Sequence, residues 1–175
     1  SWVGDMVMAQ SLFKVLRANN ADCRIIVMAP EWSRPLLERM PEVESNLDYC
    51  FKHGELNLAK RLAVGKALRA ENFTRAIVLP NSFKSALILF HARIPIRVGW
   101  QNEFRGCLLT DYRKLDTTHF PLMVQRFVAL GLPESDLPPE DVPFPRLITE
   151  SSQVSVAMDQ LGLSASDKTL AICPG

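Results

Sequence analysis

The sequence predicts an α/β protein built on a parallel sheet with helices on both faces. Two observations carry that reading. Short apolar, β-rich runs occur at Arg24–Ala29, Arg75–Pro80 and Ile96–Trp100, and segments of helical period lie between them. Strands alternating with helices at this spacing call for crossover connections and hence a parallel sheet. Hydrophobic content of 47% with 22% charged residues over 175 positions describes an ordinary water-exposed globular chain with material for one full core. The net charge of +1 argues against a general nucleic-acid binder. No apolar run approaches the length that spans a bilayer. The four cysteines, Cys23, Cys50, Cys107 and Cys173, are scattered without a C-x-x-C pair, which reads as reduced thiols of a cytoplasmic protein and argues against zinc.

Taken in order, the chain opens on Ser1-Trp2-Val3-Gly4-Asp5, a small-residue turn leading into a helix with Met8, Leu12, Val15 and Leu16 on one stripe. Such a turn ordinarily follows a buried strand, so the sequence reads as a fragment that lacks its first strand. Arg24–Ala29 is a strand ended by Pro30, and Pro35 starts a short helix through Met40. Leu47 to Phe51 reads as a weaker strand. From Leu56 to Arg69 a helix gathers Leu58, Leu62, Gly65 and Leu68 on one face. Asn81-Ser82 are capping residues between the strand ending at Pro80 and a helix from Phe83 to His91. Residues 101–119 lack a period and read as an ordered loop over one end of the sheet. Pro121 opens a helix with Met123, Phe127 and Leu130.

Residues 1–149 form the first domain in this reading, closing on a proline-rich linker at 131–149. Residues 150–175 are a linker helix, with Val154, Ala157, Met158 and Leu161 on one face and Gly162 as its stop. The strand Lys168–Cys173 follows as the first of a second domain, most of which is missing.

The sequence contains no G-x-G-x-x-G, Walker loop, H-E-x-x-H or G-x-S-x-G, and no D-x-D to hold a divalent metal. Ligands of a parallel sheet bind beyond the carboxyl ends of the strands. The informative loops are therefore Ser1–Asp5, Pro30–Arg34, Leu79–Ser85 and Gly99–Arg105. Asp5 is either a helix cap or a base facing a ligand that Gly4 allows to approach. Asn81, Ser82 and Lys84 suit an anionic or polyhydroxyl ligand, the alternative being a capped helix with a solvated lysine. Arg97, Trp100 and Arg105 bracket the next strand end and are grouped with Lys84. His53 beside Gly54 is a weaker loop candidate, and Lys52 and Arg61 read as solvated. No residue pattern asks for a metal or a cofactor.

The segments Ser1–Met6, Val27–Pro30, Arg34–Leu37, Arg39–Val43, Val78–Leu87 and Arg97–Trp100, in this order and closing on Cys173-Pro174-Gly175, resemble the ADP-heptose:lipopolysaccharide heptosyltransferases. That resemblance implies the GT-B architecture, two Rossmann-like domains across a cleft, of which this chain is the N-terminal, acceptor-binding half. It implies an inverting transfer of heptose from ADP-heptose to the first heptose of the lipopolysaccharide inner core, the acceptor being heptosyl-Kdo-lipid A. The enzyme would work in the cytoplasm, in peripheral contact with the inner membrane and without nucleic acid. Asp5 maps onto the family's aspartate after glycine, implicated as the base. Gly4, His53, Asn81, Ser82, Lys84, Arg97, Trp100 and Arg105 are the candidate acceptor contacts. The donor residues mostly lie beyond Gly175, and the fragment alone is expected to be inactive. The competing readings are a related heptosyltransferase with a different acceptor and a non-catalytic Rossmann-like domain binding an anionic glycan or nucleotide. A dinucleotide-dependent oxidoreductase is disfavoured by the missing glycine fingerprint.

Overall fold

A computed structural model describes residues 3–51, 55–164, 166, 168–170 and 172. Helix α1 (Val3–Asn19) leads through a short turn into strand β1 (Ile26–Ala29). A 3-10 turn and the single-turn α2 (Arg34–Leu37) precede β2 (Ser45–Asp48). Then come α3 (Leu58–Ala67), β3 (Arg75–Val78), α4 (Phe83–His91), β4 (Ile96–Trp100), β5 (Asp111–Arg113), α5 (Met123–Ala129) and α6 (Ser151–Gln160). Every pairing is parallel: β1 with β2 in one sheet, and β3-β4-β5 in another. The two sheets share packing, because Ile77 and Leu79 at β3 lie against the cluster built by Met6, Ala9, Leu12, Phe13, Ala29 and Phe127.

Side-chain alternation distributes β3 and β4 between two faces. Val78 meets Ala86 and Leu87 of α4 together with Leu108 and Leu109. Val98 and Trp100 face the other way, onto Phe120, Ala129 and Leu130. Helices α3 and α4 touch through Gly65, where a Cβ would sit 2.6 Å from His91 Cβ and 2.7 Å from the Ile88 carbonyl. Glycine is therefore a condition of this contact. The expected apolar face of α3 is turned: Leu58 is exposed and the buried residues are Arg61 and Gly65, one helical turn apart.

The boundaries of α4 and β4 agree with the sequence reading, and three other elements depart from it. The strand expected at Leu47–Phe51 lies two to three residues earlier, because pairing with β1 sets Ile26 against Ser45 and Ala29 against Asp48. Within 101–119, read as a loop, β5 pairs with β4 and a 3-10 turn spans Arg105–Leu108. Asp111-Tyr112-Arg113 has no apolar pattern; it is held by the ladder and by Arg113, whose Nε and Nη2 donate to both Asp111 oxygens at 2.9 and 2.8 Å. The strand expected at Lys168–Cys173 is not one where it is described. Leu170 and Ile172 are exposed, and among the described residues no strand runs alongside to pair with them. Gly162 does end α6: its φ is +65°, and Gly162 and Leu163 N–H groups donate to Asp159 and Met158, the Schellman arrangement.

The proline-rich stretch has no regular structure, yet its second part is strapped to α1. Gln10, fully buried, accepts from the Arg146 N–H at 2.8 Å and donates to the Arg146 carbonyl and to Glu42, both at 2.9 Å. Ser11 Oγ and Lys14 Nζ donate to the Pro143 and Phe144 carbonyls, and the Ile148 N–H donates to the Arg39 carbonyl. Replacing Gln10 by Ala takes both side-chain hydrogen bonds from the Arg146 backbone, and should lower the stability of the full-length protein by about 1 kcal/mol. An unchanged urea midpoint would show that the strap contributes nothing.

The Arg113 guanidinium, through its hydrogen bonds and charge, holds the Asp111 carboxyl below its ordinary pKa against the opposing effect of partial burial. A carboxyl depressed in the folded state stabilises fully above its unfolded pKa, about 3.9, and loses that contribution as pH falls through the folded value. The stability difference between wild type and Asp111→Asn should accordingly shrink toward zero on acidification below about pH 4. Urea titrations across pH 2.5–6, a window set around that reference value, would check it; a constant difference would refute the linkage.

Candidate active site

Helix α1 runs antiparallel to β1 because only a short turn joins them, so its first turn lies at the carboxyl end of the strands. Asp5 sits in that first turn, half-buried. It is not the cap that the sequence suggests, since the helix already includes Val3 and Gly4. Gly4 is exposed, and nothing lies within 4 Å of where a Cβ would be. Packing does not demand a glycine there, and the space beside Asp5 is open at that point. Ser1 and Trp2 lie outside the described residues.

At the ends of β3 and β4 the organising side chain is Arg105, which is fully buried. Its Nε and Nη2 donate to the Trp100 carbonyl at 3.0 and 2.7 Å, Nη1 donates to the Pro80 carbonyl, and Nη2 reaches Asn81 Oδ1 at 3.0 Å. Burial lowers the pKa of this guanidinium, with Glu103 acting in the opposite direction. Its donors are taken by the loop itself, so Arg105 builds the site and does not offer its charge to an anion. Trp100 is likewise core: it is buried, its indole N–H donates to the Arg126 carbonyl at 3.1 Å, and its ring lies 5.7 Å from Phe120.

Asn81 is exposed, and Ser82 and Lys84 are half-exposed at the start of α4. Ser82 occupies the cap position without a side-chain cap bond. The first amide of the helix, Phe83 N–H, is instead taken at 2.7 Å by the Glu103 carboxylate. Glu103 and Phe104 both adopt left-handed φ, 45° and 55°, and Phe104 is almost wholly exposed. Neither is a glycine or asparagine, so no residue signal in the sequence announced this strained turn.

Arg61, expected to be solvated, is fully buried. Its Nε and Nη2 donate to the Leu56 and Glu55 carbonyls at 2.5 and 2.8 Å. Nη1 donates to Tyr49 Oη at 3.1 Å and to the Lys84 carbonyl at 2.9 Å, and the guanidinium stands 4.1 Å from the Phe51 ring centre. It ties the segment after β2 to the first turn of α4. The alternation Tyr49, Phe51 ahead of a basic helix was the available signal. His53 and Lys52 lie outside the described residues.

Arg97 does not join the group in which it was placed. It is the second residue of β4, three residues before Trp100 and thus roughly 10 Å back along the strand. It also points to the α4 face, where its guanidinium is 5.7 Å from the Phe90 ring centre, whereas Trp100 points to the opposite face. The residues assembled at the carboxyl ends are therefore Asn81, Ser82, Lys84, Trp100 and Arg105, with Asp5 on the adjoining α1.

These features define a doubly wound parallel α/β domain whose strand-to-helix loops form one polar face, with a carboxylate in the first turn of its first helix. A family model, glycosyltransferase family 9 (heptosyltransferase), matches residues 61–175. The chain belongs to this family. Over its whole length it is 44% identical to lipopolysaccharide heptosyltransferase 2 of Escherichia coli and 45% identical to that of Salmonella typhimurium, and in each case it spans 52% of the relative. It is 44% identical to lipooligosaccharide heptosyltransferase 2 of Haemophilus ducreyi, with the same coverage. The chain thus spans about half the length of the curated relatives it matches. The fold superposes on the structure of E. coli ADP-heptose lps heptosyltransferase II with a TM-score of 0.83 at 43% identity, covering 94% of this chain and 49% of that one. A glycosyl transferase family 9 structure from Veillonella parvula shares the fold at a TM-score of 0.71 and 18% identity, covering 95% of this chain and 49% of that one.

Removing the Arg105 guanidinium strands the Trp100 carbonyl in a buried setting and takes a donor from the Pro80 carbonyl. Arg105→Ala in the full-length protein should lose about 3 kcal/mol of stability, and Arg105→Lys should recover only part of it. Chemical denaturation of the three proteins decides the matter; equal midpoints would remove Arg105 from its structural role.

Proposed function

We propose that this chain is the acceptor-binding half of an inverting glycosyltransferase that moves heptose from ADP-heptose to the first heptose of the lipopolysaccharide inner core. The observation that carries the reading is the 44–45% identity, along the whole chain, to proteins named lipopolysaccharide heptosyltransferase 2. The position of Asp5 at the ligand-facing end of α1 supports it. In this reading the donor is bound by a second domain of the full-length protein.

An inverting transfer requires a group that takes the acceptor hydroxyl proton as that oxygen attacks the anomeric carbon. Asp5 fills this role, and the open space over Gly4 admits the acceptor sugar. Asn81, Ser82 and Lys84 contact the acceptor's hydroxyls and anionic groups on one side of the site, and His53 is retained as a weaker contact. Arg105 and Trp100 act from beneath, by fixing the loop that presents Asn81 and Ser82. The leaving ADP is handled by the donor domain. Among the described residues no helix is long and apolar enough to cross a membrane, and the reading requires only peripheral contact with the surface that displays the lipid-borne acceptor.

In the full-length enzyme, Asp5→Asn should reduce the turnover of heptose transfer roughly 10²–10⁴-fold while acceptor binding persists. Steady-state transfer from ADP-heptose to an acceptor bearing one heptose, alongside acceptor titration, separates the cases. Transfer untouched by the substitution would leave Asp5 a helix-terminus residue. Acceptor binding without any transfer by the wild type would favour a non-catalytic glycan-binding domain.

A further inference from the structure

A cleft lies away from the carboxyl strand ends, where Arg97 enters the sheet. It has a volume of about 420 Å³ and is lined by Arg69, Phe90, His91, Arg93 and Arg97. These residues come from three places: the 3-10 turn after α3, the end of α4 with the turn that follows, and the start of β4. No carboxylate lines it. We propose that this cleft is a binding site for a phosphate-type oxyanion, distinct from the acceptor site.

Two of the three guanidinium groups are held rigidly by main-chain carbonyls and retain donors that face no carbonyl. Arg69 donates through Nε and Nη2 to the His91 carbonyl at 2.9 and 2.7 Å, which leaves Nη1. Arg97 donates through Nε to the Leu108 carbonyl at 2.7 Å and through Nη1 to the Ile94 carbonyl, which leaves Nη2. The third, Arg93, is exposed, and among the described residues its side chain has no hydrogen-bond or ion-pair partner. Its backbone takes a left-handed φ of 58°, unusual for an arginine.

The bland account is that Arg69 and Arg97 cap the end of α4. Its charge balance falls short. A helix C-terminus presents roughly half a negative charge, whereas three guanidinium groups bring three positive ones. The surplus sits in a concave space with two of the three charges already positioned, so a ligand orders the Arg93 side chain alone. A tetrahedral oxyanion suits this geometry because several oxygens can take N–H donors from different directions, and guanidinium groups match phosphate oxygens in pairs. The volume exceeds that of a lone phosphate, leaving room for part of the group that carries it. Phe90, 43% exposed, supplies an apolar wall for that portion.

The site does not depend on the heptosyltransferase reading. The test uses the full-length protein, with inorganic phosphate as the first probe and phosphatidylcholine vesicles with or without phosphatidylglycerol as the second. Arg93→Ala and Arg93→Glu are the variants, chosen because Arg93 is exposed and takes no part in the acceptor site. Calorimetric titration at low salt should give phosphate binding that weakens about tenfold or more in Arg93→Ala, and is lost in Arg93→Glu. Heptose transfer to a delipidated acceptor should be the same in all three, which separates this site's failure from that of the functional reading. Phosphatidylglycerol-dependent vesicle binding that free phosphate competes away would identify a lipid headgroup as the source. Phosphate binding without vesicle binding would identify a soluble phosphorylated molecule. Absence of binding to both probes, or phosphate affinity indifferent to Arg93→Glu, would overturn the proposal.

Discussion

Burying a guanidinium is costly unless its donors find partners, and among the described residues this fold buries three, two of them beneath the loops of the candidate site. Arg61 and Arg105 lie beneath the ends of β2, β3 and β4 with no exposed surface, and each directs its N–H groups mainly at main-chain carbonyls. The carbonyls involved lie at the end of β4 (Trp100), in the first turn of α4 (Lys84) and in the loops beside them (Glu55, Leu56 and Pro80). A planar group with five donors can serve several of them at once, which a lysine could not do. The polar face of the domain rests on this arrangement: remove either arginine and the loops that carry Asn81, Ser82 and Lys84 lose their common anchor.

That solution has a consequence for ligand binding. The positive charges nearest the candidate active site are buried and committed, so an anionic acceptor meets Lys84, the amides of the loops and any residues contributed from elsewhere. The first amide of α4 is itself occupied by Glu103, which makes this helix start a poor anion site in the conformation described. Uncommitted arginine donors gather instead in the cleft around Arg93. The domain thus separates two uses of the same side chain, internal scaffolding at one end of the sheet and surface charge at the other.

The sequence made the alternating architecture legible because local and tertiary preferences agree there. Asn81-Ser82 ahead of an apolar helical run gave α4, and a β-rich run closing on Gly99-Trp100 gave β4. Where an element depends on its neighbour, the pattern misled. Strand β2 takes its bounds from the register of β1, and β5 is three polar residues held by a ladder and an internal ion pair. The site was legible in part for the same reason. The rule that ligands gather at carboxyl strand ends located Asn81, Ser82 and Lys84, but it says nothing about how far back along a strand a residue lies or which face it takes. Arg97 failed on both counts. Charge runs read as solvated hid Arg61, whose burial follows from Tyr49, Phe51 and a set of carbonyls that no local window brings together.

The proline-rich stretch shows how the helix bearing Asp5 is tied to the chain downstream. Composition alone makes residues 131–149 a proline-rich linker, yet Pro143, Phe144, Arg146 and Ile148 are each bonded to α1 or to Arg39. The pairing that matters most is the two-way one of Gln10 with Arg146, because the Gln10 amide is fully buried and breaking the pairing costs it both partners. Past Ile148, Arg39 Nη2 donates to Gln153 Oε1 at 2.9 Å, an exposed side-chain pair worth little in water. Reorientation of the chain leading into α6 is therefore least costly after Ile148, and it leaves the strap in place. The strap then acts on the domain side of that point, where it keeps α1, and with it Asp5, in a fixed relation to the loops that Arg61 and Arg105 hold.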